Sequence, residues 1–396
     1  MATTPNNIPQ GYKATALGII PQEWEVKKVK DICNVDANSL TTKTPLTYEF
    51  EYISLSDVDS DSFEISTSHQ IFQTAPSRAR RIVKKGDVVI STVRPNLRGF
   101  FAIKEDVKDL IASTGFAVLS PISCDTQYLL LYFYSEAISK QFYSLVVGSN
   151  YPAVNSSDVA KIKIAVPPLA EQRKIAEVLG VWDEAIEKQA RLIEKLALRK
   201  RGLMQRLLSA KLRLPGFSEL WKELKINKIT TIKKGEQVNK DVLLSNAKYP
   251  VINGGITPSG YLDTYNTKEN TITISEGGNS CGYVNFMTTP FWSGGHCYTI
   301  DAKDGINNLF IYQLLKNNEK YIMSLRVGSG LPNIQIKDLG NLKFMIPVYQ
   351  EQTAIAEVLT AADREIDLAK EKLERLRRQK RGLMQQLLTG KKRVKY

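Results

Sequence analysis

Two stretches of the chain carry apolar residues at alternating steps of four and three. From Glu171 to about Ser209 these are Ile175, Leu179, Trp182, Ile186, Ile193, Leu196, Leu203 and Leu207. From Glu351 they are Ile355, Leu359, Ala362, Ile366, Ala369, Leu373, Leu376, Leu383 and Leu387. Such spacing marks the a/d seam of a heptad repeat, which is narrower than an ordinary amphipathic face. Gln189 and Lys200 interrupt the first series, and Lys380 interrupts the second at the place matching Lys200. The first stretch holds no proline and is rich in helix formers. Each stretch predicts a helix of about 39 residues, roughly 58 Å long. A stripe of that length needs a partner of equal length, and the other stretch supplies one. Two separate amphipathic helices, each packed on its own domain, are the alternative.

The two stretches are copies of each other. KRGLMQRLL from Lys200 recurs as KRGLMQQLL from Lys380, and EQRKIAEVLGVWDEAI from Glu171 as EQTAIAEVLTAADREI from Glu351, both 180 residues on. The same offset relates VGSNYPAVNSSDVAKIKIAVP at 147–167 to VGSGLPNIQIKDLGNLKFMIP at 327–347, and STGFAVL from Ser113 to SGGHCYTI from Ser293. Further upstream, LGIIPQEW at 17–24 faces LPGFSELW at 214–221, an offset of 197. The plan is a variable half and a shared tail, each present twice. The Trp-bearing segment precedes copy one and recurs between the copies, so the two chain ends read as halves of one junction, like a ring cut open. The pseudo-two-fold that follows makes the helix pair antiparallel and puts the variable halves at opposite ends. Lys200 and Lys380 then fall on the seam, where they are costly unless their ammonium groups snorkel out, and they become candidates for fixing the register.

Both variable halves mix strand and helix. In the first, KKGDVVIST at 84–92 and AKIKIAVPP at 160–168 read as strands, and TQYLLLYFYSEAISKQFYSLV at 126–146 as a largely buried helix. In the second, NTITISEGG at 270–278 and LKFMIPV at 342–348 read as strands, and NLFIYQLLKNNEKYIMSLR at 308–326 as helical. The expected fold class is α+β: two pseudo-symmetric domains joined by two long antiparallel coiled-coil helices. The segments are 1–168, 169–210, 211–348 and 349–396.

Composition adds a partner. The formal net charge is +13 over 396 residues, and excess Lys and Arg favour polyanions, because neutralised phosphates release condensed counterions. A solvated basic surface is the alternative. In the first half the charge gathers in SRARRIVKKGD and TVRPNLRGFF. Arg78, Arg80, Arg81, Lys84 and Lys85 have the look of phosphate contacts. Arg94, Asn96 and Arg98, on a proline-bearing turn after a strand, suit base edges, Arg on guanine and Asn on adenine; a solvated loop with one structural Arg suits them equally. The second half is rich in Gly, Asn, Ser and Tyr instead, with Asn253, Tyr261, Lys268, Asn279, Ser280 and Tyr283 as its candidates. Two unlike loop sets on one scaffold are what two different recognition sequences demand. Basic residues also gather at each helix end, where the helix dipole, a partner protein or DNA backbone accounts for them.

Several activities lack their signatures. Cys33, Cys124, Cys281 and Cys297 are scattered with no CxxC pair, so reduced core thiols are the expectation. His69 and His296 are the two histidines; His296 and Cys297 with Cys281 make a weak case for a metal. VPPL at 166–169 lacks the polar first residue and the aromatic of an amino-methyltransferase tetrapeptide, and no GxxxxGK[ST] loop or convincing nuclease carboxylate set is present. Neither a leader-like apolar segment nor a run of eighteen apolar residues occurs, so a cytoplasmic protein with no membrane partner is expected.

IPQEWEVKKVKDI, RLPGFSELWKELKI, VGSNYP, VGSGLP and the paired EQ…IAEVL helices ending in KRGLMQ occur in an ordered double set. In this the chain resembles, over nearly its whole length, the specificity subunit of Type I restriction–modification systems. The resemblance implies two target recognition domains, each reading half of a bipartite double-stranded DNA sequence. It also implies helices that set the spacing and dock two modification (methyltransferase) subunits, with the restriction translocase further out. Half-sites about one helical turn apart, on the order of 34 Å, suit readers carried on such a rod. The chain would bind no cofactor and be no enzyme, leaving S-adenosylmethionine and the flipping of the target adenine to its partner. A methylation system without restriction, and a coiled-coil scaffold that binds no DNA, are the other readings.

Overall fold

The computed structural model describes residues 8–58, 65–145, 153–328, 330 and 332–395. VGSNYP, and two positions of VGSGLP, lie outside the described residues. The chain forms two compact units, 1–188 with 373–396, and 189–372. The long helices, Leu169–Leu207 and Tyr349–Leu387, each run from one unit into the other, so the units cut across the four expected segments.

In the first unit the wholly buried strand Val88–Ser91 lies inside an antiparallel sheet of order Cys33–Val35, Phe116–Pro121, Val88–Ser91, Phe100–Ala102. Helices Thr126–Phe133 and Glu136–Leu145 pack on it, placing Tyr128, Leu129, Phe133 and Ile138 against Val88, Ile90, Phe100 and Leu119. The sequence predicts one helix here. The helix is interrupted at Tyr134, whose hydroxyl donates to the Phe100 carbonyl (2.5 Å), and resumes after Ser135, whose Oγ accepts from the Ile138 N–H. A second sheet, Ser68–Ile71, Glu49–Ile53, Leu110–Ser113, Ala79–Ile82, contains one parallel pair.

The second unit repeats the first sheet as Thr230–Lys234, Cys297–Ala302, Thr271–Ser275, Val284–Met287, with helices Asn308–Asn317 and Glu319–Ser324 against it. Its other sheet has three strands, Gly260–Leu262, Tyr249–Ile252 and Trp292–Ser293. The shared tail supplies the strand Phe116–Pro121, matched by Cys297–Ala302, and the helices packed on the repeated sheet, while the other strands of that sheet come from the divergent stretch.

The long helices pack antiparallel within each unit. In the second, Met204 and Leu207 share a core with Ile355 and Leu359, while Leu196, with Ile193, meets Ile366 and Ala369. In the first, Ile175 and Leu179 share a core with Leu387 and Leu388, with Leu383 and Met384 against it. Trp182, Ile186, Leu203 and Leu376 are half-buried; Ala362 and Leu373 are buried. The interruptions in the heptad pattern are filled. Gln189 is buried, and its Nε2 donates to the carbonyl of its own repeat equivalent, Ala369 (3.0 Å). Lys200 ion-pairs with Asp363, and Lys380 with Asp183. The second pair is the first displaced by one repeat, and the lysine side chains are only 13% and 16% exposed. Charges so placed have one satisfactory register. In a double-mutant cycle of Lys200→Asp and Asp363→Lys, the expected coupling is about 0.5–3 kcal/mol in urea unfolding. Additive losses would remove the pair as a register lock.

Each unit is fastened by a triad that the repeat duplicates. In the first, the Glu171 carboxylate is 0% exposed. It accepts from Trp24 Nε1 (2.9 Å) and from Arg393 Nε and Nη2 (2.5 and 2.9 Å). In the second, Glu351 accepts from Trp221 Nε1 (3.0 Å) and from Arg213 Nε and Nη2 (2.6 and 2.8 Å). The Tyr12 hydroxyl also donates to the Gly390 carbonyl (2.9 Å). Gly390 has φ +68°, and a Cβ there would lie 2.3 Å from Pro21. The last segment of the chain therefore closes on the first, which is the junction the sequence suggested.

Candidate nucleic-acid interface

The basic turn of the first unit is the tip of the hairpin formed by Val88–Ser91 and Phe100–Ala102. Arg94 and Arg98 bracket the single turn Pro95–Leu97, and both adopt left-handed backbone, with φ 49° and 55°. Non-glycine residues there are strained, and such strain gathers at functional tips. Arg94, Asn96 and Arg98 are exposed, while Pro95 is buried and anchors the turn. Arg98 also braces the tip: Nη2 donates to Ser139 Oγ (2.9 Å) and Nη1 reaches the Tyr134 carbonyl (3.4 Å).

The neighbouring basic cluster divides. Arg78 and Lys84 are exposed. Arg80 lies over the Phe72 ring (4.9 Å) and donates to the Ala79 carbonyl (2.7 Å). Arg81 pairs with Asp36 (2.8 Å) and donates to Ser39 Oγ (3.3 Å), tying one sheet to the segment that leaves the other. Lys85 pairs with Asp106 on the surface. Arg81, expected as a phosphate contact, is thus engaged within the fold.

In the second unit four glycine-bearing loops converge. They follow Thr230–Lys234, Tyr249–Ile252, Thr271–Ser275 and Trp292–Ser293. A Cβ on Gly235 would fall 2.3 Å from the Gly294 carbonyl, so only glycine allows that approach. Asn253 Oδ1 accepts from the His296 N–H (3.1 Å), and the Ser280 hydroxyl donates to the Gly254 carbonyl, so both candidates knit the loops together. Asn279 and Lys268 are exposed. Tyr261 is half-buried on Gly260–Leu262, and Tyr283 is half-buried with Lys316 Nζ over its ring (4.2 Å).

Glu276 lies at the centre of these loops, and its EGG context is too loose a pattern to mark a site by itself. Its Oε1 accepts from Lys234 Nζ (2.5 Å) and Tyr298 OH (3.0 Å), and Oε2 lies 3.4 Å from His296 Nδ1. Burial alone would raise this carboxyl. Hydrogen bonds from Lys234 and Tyr298, the Lys234 charge and His296 instead hold it below its ordinary range. The available signal was the repeat register, in which His296 occupies the place of Phe116. The cysteines are buried free thiols, and burial pushes Cys33 up to about 12. Among the described residues no group of three or more His, Cys, Asp and Glu side chains is arranged to hold a metal. Also among the described residues, no helix is long and apolar enough to cross a membrane.

Residues 21–197 and 218–378 match the Type I restriction modification DNA specificity domain. The chain belongs to that family. As a specificity subunit it is 28% identical to the putative type I restriction enzyme MjaX specificity subunit of Methanocaldococcus jannaschii, over 98% of this chain and 97% of that one. It is 35% identical to the putative type I specificity subunit S.MpnORF638P of Mycoplasma pneumoniae, over 39% of this chain and 42% of that one. The fold is that of the Type I restriction-modification system S subunit from M. genitalium: TM-score 0.61 at 18% identity, over 92% of this chain and 96% of that one. A chain solved in work on complex assembly and conformational transition of the type I R-M system gives TM-score 0.65 at 22% identity, over 94% and 99%. The α+β duplication with paired long helices is thus the family's architecture.

Proposed function

We propose that this specificity subunit reads a bipartite double-stranded DNA target, one half-site per unit, and brings two modification subunits to it. The observation that carries the reading is the pairing of one repeated framework with two chemically unlike loop sets. One unit carries a basic, strained tip at Arg94–Arg98 and the other a glycine–asparagine–histidine cluster, and a scaffold alone has no use for that difference. The chain acts by direct readout. S-adenosylmethionine binding and base chemistry fall to the modification partner, and restriction subunits join through the complex. Exposed Arg78 and Lys84 supply backbone contacts that position the first unit without reading sequence.

The test is to express the chain with its neighbouring modification subunit and map methylated adenines by long-read sequencing. Methylation should follow one bipartite motif and vanish when this chain is deleted. Methylation that tracks no bipartite motif, or survives the deletion, overturns the reading. Within the same system, Arg78→Ala and Lys84→Ala should each weaken binding to all sequences alike. Each should lower the salt slope of log K by about 1. A changed motif would instead make either residue a base reader.

A further inference from the structure

In the repeat register Phe116 and His296 are equivalent, and they lead very different lives. Phe116 is 0% exposed and packs among Val89, Phe101 and Val118. The His296 side chain is 63% exposed, at the tip of the glycine loops. A core aromatic has been replaced by an outward imidazole, and a carboxylate has been buried beneath it. The Glu276 side chain is 10% exposed, although no hydrogen bond reaches its Oε2. That oxygen's neighbour is His296 Nδ1 at 3.4 Å, while Lys234 and Tyr298 occupy Oε1. Leaving a buried carboxylate oxygen without a hydrogen bond costs free energy, so its retention calls for a role outside folding.

The arrangement dictates what the cluster presents. Glu276 stands 3.4 Å from the Nδ1 edge of His296, and most of the ring lies exposed beyond that contact. Lys234 Nζ, with its side chain 52% exposed, stands on the same carboxylate and keeps donors to spare. Lys234, and the imidazole of His296 when both its nitrogens carry protons, then form a donor pair over one buried carboxylate. That pair complements two neighbouring acceptor atoms on DNA, either guanine O6 and N7 or the oxygens of one phosphate.

We infer that His296 and Lys234, positioned by Glu276, form the DNA-acceptor contact of the second recognition unit. The inference rests on the proposed reading of bipartite DNA and assigns the residues that act in its second half. The first unit has no counterpart: Phe116 is buried at the place of His296, and Thr92 is buried too, its carbonyl accepting from the Val154 N–H as that of Glu276 does from Ile334, one repeat on. The two half-sites are therefore read by different chemistry at matching places in the fold.

The experiment uses the full chain with its modification subunit, comparing the unaltered protein, His296→Ala and Glu276→Ala. If the acceptors belong to guanine, His296→Ala relaxes one position of the second half-site by about tenfold or more. The first half-site stays unchanged. If they belong to a phosphate, the motif is retained, affinity falls for all sequences and the salt slope drops by about 1. Glu276→Ala should reproduce whichever pattern His296→Ala shows. A merely structural Glu276 would lower the unfolding midpoint without that pattern. His296 is exposed, so its alanine variant folds and keeps the test decisive. An unchanged motif, affinity and salt slope in His296→Ala would overturn the inference. Absence of any bipartite motif in the unaltered protein would instead overturn the proposed function itself.

Discussion

Arg393→Met should destabilise the first unit by about 3 kcal/mol, the range found when one partner of a buried ion pair is removed. Glu171 is fully buried, and its carboxylate is held by Arg393 and the Trp24 indole. Methionine fills much of the space but leaves that carboxylate facing a single neutral donor. The Arg393 side chain is 33% exposed, so water relieves part of the loss, and the effect belongs at the lower end of the buried-pair range. The repeat supplies an internal control. Arg213→Met should weaken the second unit in the same way through Glu351 and Trp221. Because a protein with two units need not unfold in one step, hydrogen exchange resolved along the chain is the measurement to use. Protection should fall in residues 8–188 and 373–395 for Arg393→Met, and in 189–372 for Arg213→Met. Losses below about 1 kcal/mol in both would rank these triads with ordinary surface pairs.

That such triads escape sequence reading has a physical cause. A glutamate in the first turn of a helix reads as a partner of the helix dipole. The EQ motif was visible as a repeat, but its burial depends on a tryptophan and an arginine far away in the chain. The seam was legible because heptad spacing is local. Its polar members were not, since the partner of Lys200 is Asp363 and that of Gln189 is the Ala369 carbonyl. The same limit applies to the basic cluster at 78–85. Charge density is read directly from sequence, yet only packing shows that Arg81 is tied to Asp36 while Arg78 is exposed. In the second unit, Asn253 and Ser280 have the composition of readers, but their polar atoms hold loops. The EGG stretch holding Glu276 is too loose to mark a site, because a lone carboxylate beside two glycines carries no pattern.

Arg94→Gly should change the first half-site while leaving the fold close to its original stability. Arg94 adopts φ 49°, a conformation costing roughly 1–2 kcal/mol for a residue with a Cβ and nothing comparable for glycine. The greater freedom of glycine in the unfolded chain costs about 0.5–1 kcal/mol, so the backbone contributions nearly cancel and the loss of the side chain's own interaction is what remains. The guanidinium is lost all the same. If it addresses a guanine edge, discrimination at that base pair should fall by about 1–3 kcal/mol, which is tenfold or more in relative methylation. Arg94→Ala is the companion variant, because alanine loses the same contact and keeps the strain. Both should relax the same position of the first half-site and leave the second alone, with the alanine variant the less stable of the two. The Arg98 guanidinium braces the tip against Ser139 and the Tyr134 carbonyl. Arg98→Ala should therefore weaken recognition across the whole first half-site, without singling out one base. If methylation of every sequence is unchanged in Arg94→Gly, the strained turn is a structural feature and the first unit reads DNA from another surface.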